Sequence, residues 1–184
     1  MTGMGDTRTE ILRATLRVIG AEGVAGVTNR RIAREAGVSL GSITYHFDTQ
    51  TSLLRETMLL FVAEETARLA SVAEAHRSVI SVDDAAALVE RIVESTAFGS
   101  EEIAPLELYI HAGRDASLRE AAATCFAAYD ALATAVLSAL GVPDPARMAG
   151  PVVALIAGLQ LRRLATGTSG PTTVADALRL LVAA

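Results

Sequence analysis

Residues 28–47, TNRRIAREAGVSLGSITYHF, read as two short helices joined by a tight glycine turn. Thr28 can cap the first helix with its hydroxyl, and Ile32, Ala33 and Ala36 give that helix one apolar face. Gly37 supplies the left-handed position that ends it. Ser39 caps the second helix, whose inward side is set by Ile43 and Phe47 at i and i+4. This leaves Leu40, Gly41, Ser42, Thr44, Tyr45 and His46 facing outward or along the flanks. Two helices about a glycine turn, with so varied a set of outward side chains, form the layout of a DNA-reading module.

Working outward, Glu10 to Gly23 predict a preceding amphipathic helix, with Ile11, Leu12, Leu16 and Ile19 inward and Arg13 and Arg17 outward. Beyond the turn, Leu54, Met58, Phe61, Val62 and Leu69 make one stripe on a helix expected from about Thr49 to His76. A further helix is expected from Asp83 to near Gly99, with Leu88, Val89, Ile92 and Val93 inward. Another lies within Glu101 to Arg114, where Pro105 predicts a kink or a division into two pieces. Leu118, Ala122, Cys125, Tyr129, Leu132, Val136 and Leu140 recur at three- and four-residue steps, and Gly141 closes that helix. Asp144 and Pro145 signal the next start, with Pro151 expected to kink this helix or mark its true beginning. A last helix is expected over Val174 to Val182. No window alternates with period two, so the fold class is all-α.

Composition narrows the function. The net charge is −5, too acidic for general coating of nucleic acid. The charge is uneven, however: Arg30, Arg31 and Arg34 face only Glu35 within the motif, while Glu64, Glu65, Asp83, Asp84, Glu101 and Glu102 make the remainder acidic. A small basic footprint on an acidic body favours one docking geometry over indiscriminate binding. No run approaches the ~18 consecutive apolar residues of a membrane span, and the N-terminal residues MTGMGDTRTE hold no apolar signal segment, so a cytoplasmic location is expected. The single Cys125 reads as a small core hydrophobe. No phosphate loop, nucleophile elbow, H-E-x-x-H pair or cysteine cluster is present, so neither catalytic residues, metal nor cofactor is expected.

The motif resembles the helix-turn-helix of the TetR family of one-component regulators, with its pattern I-A-x-x-A-G-V-S-x-G-x-[LI]-x-x-H-F. Ile32, Ala33, Ala36, Gly37, Val38, Ser39, Gly41, Ile43, His46 and Phe47 sit on it. The resemblance implies an N-terminal three-helix DNA-binding domain over residues 1–48 and a larger helical effector-binding and dimerisation domain over 49–184. It implies DNA contacts from Thr28, Arg30, Arg31, Ser39, Leu40, Gly41, Ser42, Thr44, Tyr45, His46 and Gln50, with Arg30 reaching a guanine edge or a phosphate. Leu40 has no hydrogen-bonding group and can meet only a thymine methyl. Arg34 reads as a solvated charge.

Two departures stand out. Thr44 occupies a common tyrosine position, and Thr49-Gln50 replaces a common Ser-Lys pair. Gln50 can hydrogen-bond a phosphate and Thr49 can cap the following helix, but the missing cation predicts a salt dependence shallower by about one unit of slope per protomer.

Farther along, Leu108-Tyr109, Arg114-Asp115 and Leu118-Arg119 are similar to a second family run, with Ser117 beside Ala116 where proline is usual. Leu155 to Leu161 is similar to the helix that pairs in the family's dimer bundle. The implied partners are double-stranded operator DNA, a second copy of the chain and a small-molecule effector, with no membrane. Effector contacts are expected among Phe98, Glu107, Tyr109, His111, Phe126, Tyr129, Gln160 and Arg163. Dimer contacts are expected among Tyr129, Val136, Leu155, Gly158 and Leu159. The alternative is a small all-α enzyme or ligand-binding protein whose helix-turn-helix is vestigial.

Overall fold

Helix follows helix because capping residues and glycines punctuate an Ala/Leu/Val-rich chain at short intervals. The computed structural model of the chain describes residues 4–75, 81, 83–87, 90, 100–168, 175, 176 and 179. Its helices are α1 (Met4–Glu22), α2 (Asn29–Ala36), α3 (Leu40–His46), α4 (Gln50–Ala75), α5 (Ser100–Ala112), α6 (Ala116–Ala139) and α7 (Pro145–Thr166), with a 3-10 turn at Val24–Gly26. Among the described residues there is no strand, as the all-α reading requires. Most of the helix expected from Asp83 to Gly99, Phe98 included, and most of that over Val174 to Val182 lie outside the described residues. Residues 83–87, 90, 175, 176 and 179 are helical.

The chain divides into two compact units, one of Met1–Ala63 with Gly99–Cys125 and one of Glu64–Phe98 with Phe126–Ala184. In the first, α1 packs on α2 and α5, and α2 on α3. Its core draws Ile11, Val18 and Ile19 from α1, Ile32 from α2, Ile43 from α3 and Leu53, Leu54 and Met58 from α4. Leu108 from α5 and Leu118 from α6 complete it. Cys125 is buried there with its Sγ 3.8 Å from the Met58 carbonyl, and desolvation pushes the thiol up to about 11, so it packs as a neutral hydrophobe. The second unit holds a smaller cluster of Ala86, Leu137, Val142, Val152 and Ala175, with Leu155, Ile156 and Leu159 partly buried against it. Glu90 Oε2 accepts the Ala175 amide at 2.8 Å, and Arg179 pairs with Asp83 at 2.6 Å.

Neither proline divides its helix or marks its start. Pro105 lies inside the single helix α5, and Pro151 lies inside α7, which starts at Pro145. Each removes one helix hydrogen bond, but the flanking turns keep the helix registered. At the exposed Pro151, water can take up the carbonyl that loses its donor. The turn between α6 and α7 uses Gly141 at φ 70° and Asp144 at φ 47°, both left-handed.

Candidate nucleic-acid interface

Local capping builds the helix-turn-helix. Thr28 is extended (φ −128°, ψ 149°) and its hydroxyl accepts the Arg31 amide at 3.2 Å, opening α2. Gly37, at φ 66° and ψ 29°, ends α2, and the Val38 amide returns to the Ala33 carbonyl at 3.0 Å. Ser39 opens α3 by accepting the Ser42 amide at 3.1 Å. Ile43 and Phe47 then turn inward, 1% and 5% exposed. Burying each stabilises the head by about 1.5–3 kcal/mol, which fixes the rotation of α3 and so decides which side chains face out. Thr49 and Ser52 cap α4 reciprocally: each backbone amide donates to the other's hydroxyl, at 3.0 Å from Ser52 and 3.3 Å from Thr49.

The outward face carries Leu40, 51% exposed, and Tyr45, 71% exposed. The Tyr45 and His46 rings meet edge to face at 5.1 Å, and His46 is half-buried between Tyr45 and Phe47. Several hydroxyls are engaged locally: Ser39 and Ser42 Oγ lie 2.9 Å apart, and Thr44 Oγ1 donates to the Gly41 carbonyl at 3.1 Å. Arg30 and Arg34 are exposed and have no carboxylate partner among the described residues.

Two expected DNA contacts are occupied elsewhere. Arg31 Nε donates to Glu22 at 2.7 Å and its Nη1 to Glu35 at 2.8 Å, drawing the guanidinium onto the protein. Gln50 Nε2 donates to the Val27 carbonyl at 2.9 Å, so the residue standing in a lysine's usual place ties the start of α4 to the loop before α2. Arg17 completes a five-charge chain, donating to Glu35 at 2.9 Å and to Glu10 at 2.7 Å. Hydrogen bonds from Arg31 and then Arg17 hold the Glu35 carboxyl below its ordinary range. Arg8 pairs with Glu56, and its guanidinium lies 5.4 Å from the centre of the Phe47 ring. Sequence reading missed these links. Only the Arg31–Glu35 spacing of four signalled one of them in advance.

The other expected residues fall in both units. In the first, Glu107 is half-buried with its carboxylate beside Gly23, 3.8 Å from where a Cβ there would stand, so it serves the packing of α5 on the turn after α1. Tyr109 and His111 are half-buried on α5. In the second, Phe126 is 39% exposed, Gln160 is exposed, and Tyr129 and Arg163 are half-buried. Among the expected dimer contacts, Tyr129 and Val136 are half-buried on α6, and Leu155 and Leu159 pack partly on their own unit's cluster. Gly158 is exposed with open space at its Cβ position. α6 and α7 are each long and apolar enough to cross a bilayer by length and composition alone, with only 17% and 11% of their most apolar windows buried.

A capped helix-turn-helix head on an all-helical chain defines a DNA-binding regulator by class. The sequence pattern of "Bacterial regulatory proteins, tetR family" matches residues 11–57, and that of the "Tetracyclin repressor-like, C-terminal domain" matches residues 81–184. The chain belongs to the TetR family of transcriptional regulators. It is 32% identical over 157 residues to the HTH-type transcriptional regulator BetI of Agrobacterium fabrum, a match covering 84% of this chain and 75% of BetI. It is 42% identical over 66 residues to the regulator PksA of Bacillus subtilis, a match spanning 36% of this chain and only 32% of PksA. The crystal structure of the multidrug binding protein EbrR complexed with ethidium superposes with a TM-score of 0.73 at 28% identity, covering 96% of both chains.

Proposed function

We propose that the chain is a homodimeric repressor that grips a palindromic operator and lets go when a small molecule binds its larger helical part. Residues 1–48 are the reading head; residues 49–184 bind the effector and the second copy. The observation that carries this reading is the outward display on α3. Tyr45 is 71% exposed and Leu40 51% exposed, and Arg30 on α2 has no carboxylate partner among the described residues. Arg30 supplies the guanine or phosphate contact, Tyr45 and His46 the backbone contacts, and Thr28, Ser39, Ser42 and Thr44 hold the register. Arg31 and Gln50 act by positioning, since their donors are engaged inside the head.

A seven-residue reading helix spans few base pairs, so two copies on a dyad are needed for specificity. The apolar faces of α6 and α7 suit a second copy: Ala127, Ala131 and Ala135 on α6, and Ala154, Gly158 and Leu161 on α7, are all exposed in the single chain. Covered in this way, both helices belong to a cytoplasmic protein and not to a membrane. The effector is an apolar or mixed compound met by Phe126, Tyr129, Gln160 and Arg163 of the second unit. EbrR's complex with ethidium supports this class of ligand. The chain performs no catalysis in this account. Replacing Tyr45 and His46 together with alanine is expected to abolish retardation of a selected operator duplex while leaving the circular dichroism and the solution mass unchanged. Normal retardation by the double variant would refute the docking assignment.

A further inference from the structure

Arg8 is an α1 side chain that touches both helices following the turn. Its guanidinium pairs with Glu56 on α4 and lies 5.4 Å from the centre of the Phe47 ring at the end of α3. Among the described residues these are its two partners. On its remaining side Arg8 borders an open groove of about 400 Å³, lined also by Leu12, Arg55, Leu59 and Leu60, so the ion pair and the ring are what hold the guanidinium in place.

The helix that ends beside Arg8 is only seven residues long, too short to hold its own geometry. Its last turn is set by Phe47, whose amide donates to the Ile43 carbonyl at 2.9 Å and whose ring is buried. From that ring the contacts run outward. The His46 ring lies 6.3 Å from Phe47, and Tyr45 meets His46 edge to face at 5.1 Å. Tyr45 is too exposed for the core to orient it, so His46 is the neighbour that does. Arg8, Phe47, His46 and Tyr45 thus form a row from α1 to the outward face of α3.

Resting on the reading of α3 as the DNA-docking helix, we infer that Arg8 is a positioning residue for operator binding: held against the Phe47 ring by Glu56, it fixes Phe47 and, through it, the orientation of His46 and Tyr45 before DNA arrives. Side chains ordered in advance lose less freedom on binding. Because Glu56 matches its charge, this role differs from that of a phosphate-binding cation. The full chain and its Arg8→Gln variant are compared on a duplex that the wild type enriches from random DNA, well below either melting transition. Arg8→Gln is expected to weaken binding by about threefold per half-site, the size of one exposed cation–π contact. The slope of log affinity against log salt is expected to stay unchanged. The His46 ring-proton resonance of the free chain, assigned by its loss in His46→Gln, is expected to shift in Arg8→Gln. In a Phe47→Leu background, which keeps an apolar side chain but lacks the ring, Arg8→Gln is expected to have no further effect on affinity.

Wild-type affinity in Arg8→Gln, or an unmoved His46 resonance, overturns the positioning role. A slope lowered by about one per protomer overturns it as well, by making Arg8 a phosphate contact. So does a loss that adds in full to that of Phe47→Leu. Failure to enrich any duplex, or normal binding by Tyr45→Ala, is a different result: it removes the DNA-docking reading of α3, and the positioning role with it.

Discussion

Arg30 and Arg31 are neighbours of the same residue type with different surroundings. Arg31 sits between Glu22 and Glu35, whereas Arg30 extends from α2 without a carboxylate partner among the described residues. Each phosphate neutralised adds about one unit to the slope of log affinity against log salt. Arg30→Ala is therefore expected to lower that slope by about one per protomer if it meets a phosphate, or to relax preference at one guanine position if it meets a base. Arg31→Ala is expected to lower the melting temperature and leave the slope unchanged. Binding titrations across a salt series separate the two, and a loss of slope in Arg31→Ala would show that its carboxylate partners release it on DNA. The capping residues Thr28, Gly37 and Ser39 were legible in the sequence because each acts on backbone within four residues. The engagements of Arg31 with Glu22 and of Gln50 with Val27 were not, because they join residues 9 and 23 positions apart and depend on how the helices cross.

At the scale of elements, α1 and α2 are joined by the chain Glu10–Arg17–Glu35–Arg31–Glu22. Exposed pairs of this kind contribute little singly and more when one carboxylate serves two arginines. Glu35 is the shared group, and its carboxyl is held below the ordinary value of 4.5 by Arg31 first and Arg17 second. A lowered folded-state pKa means the stabilisation is fully present above the unfolded value and disappears as pH falls through the folded one. The melting-temperature gap between wild type and Glu35→Gln is therefore expected to be constant near neutral pH and to close progressively below about 4.5. A gap that persists well below that range would place the role of Glu35 elsewhere. Element identity was largely readable from apolar spacing, since α4 spans Gln50–Ala75 against an expected Thr49 to His76. The prolines do not end their helices because propensity counts the lost hydrogen bond but not the flanking turns that carry α5 and α7 on past it.

For the whole molecule, the two long helices α6 and α7 leave apolar faces that the single chain does not cover. Leu159, expected from sequence as a dimer contact, packs partly on its own unit's cluster, so a charge there would disturb the unit as well as any interface. Leu161 is 48% exposed and shares a face with Gly158 and Ala154, which makes it the cleaner probe. Leu161→Glu is expected to sediment as a monomer with unchanged helicity, and a dimer mass would move the interface off this face. Effector contacts have no local spacing to read in a sequence, because a pocket is a property of packing between distant segments.

The most direct test of the central claim, a twinned reading head on a ligand-responsive body, is enrichment of bound duplexes from random DNA by the intact chain, followed by sequencing. The expected product is an inverted repeat whose half-sites are one helical turn or more apart, bound by an even number of protomers and released by a small-molecule effector. Enrichment of a single asymmetric site held by one protomer, or of no sequence at all, would contradict it.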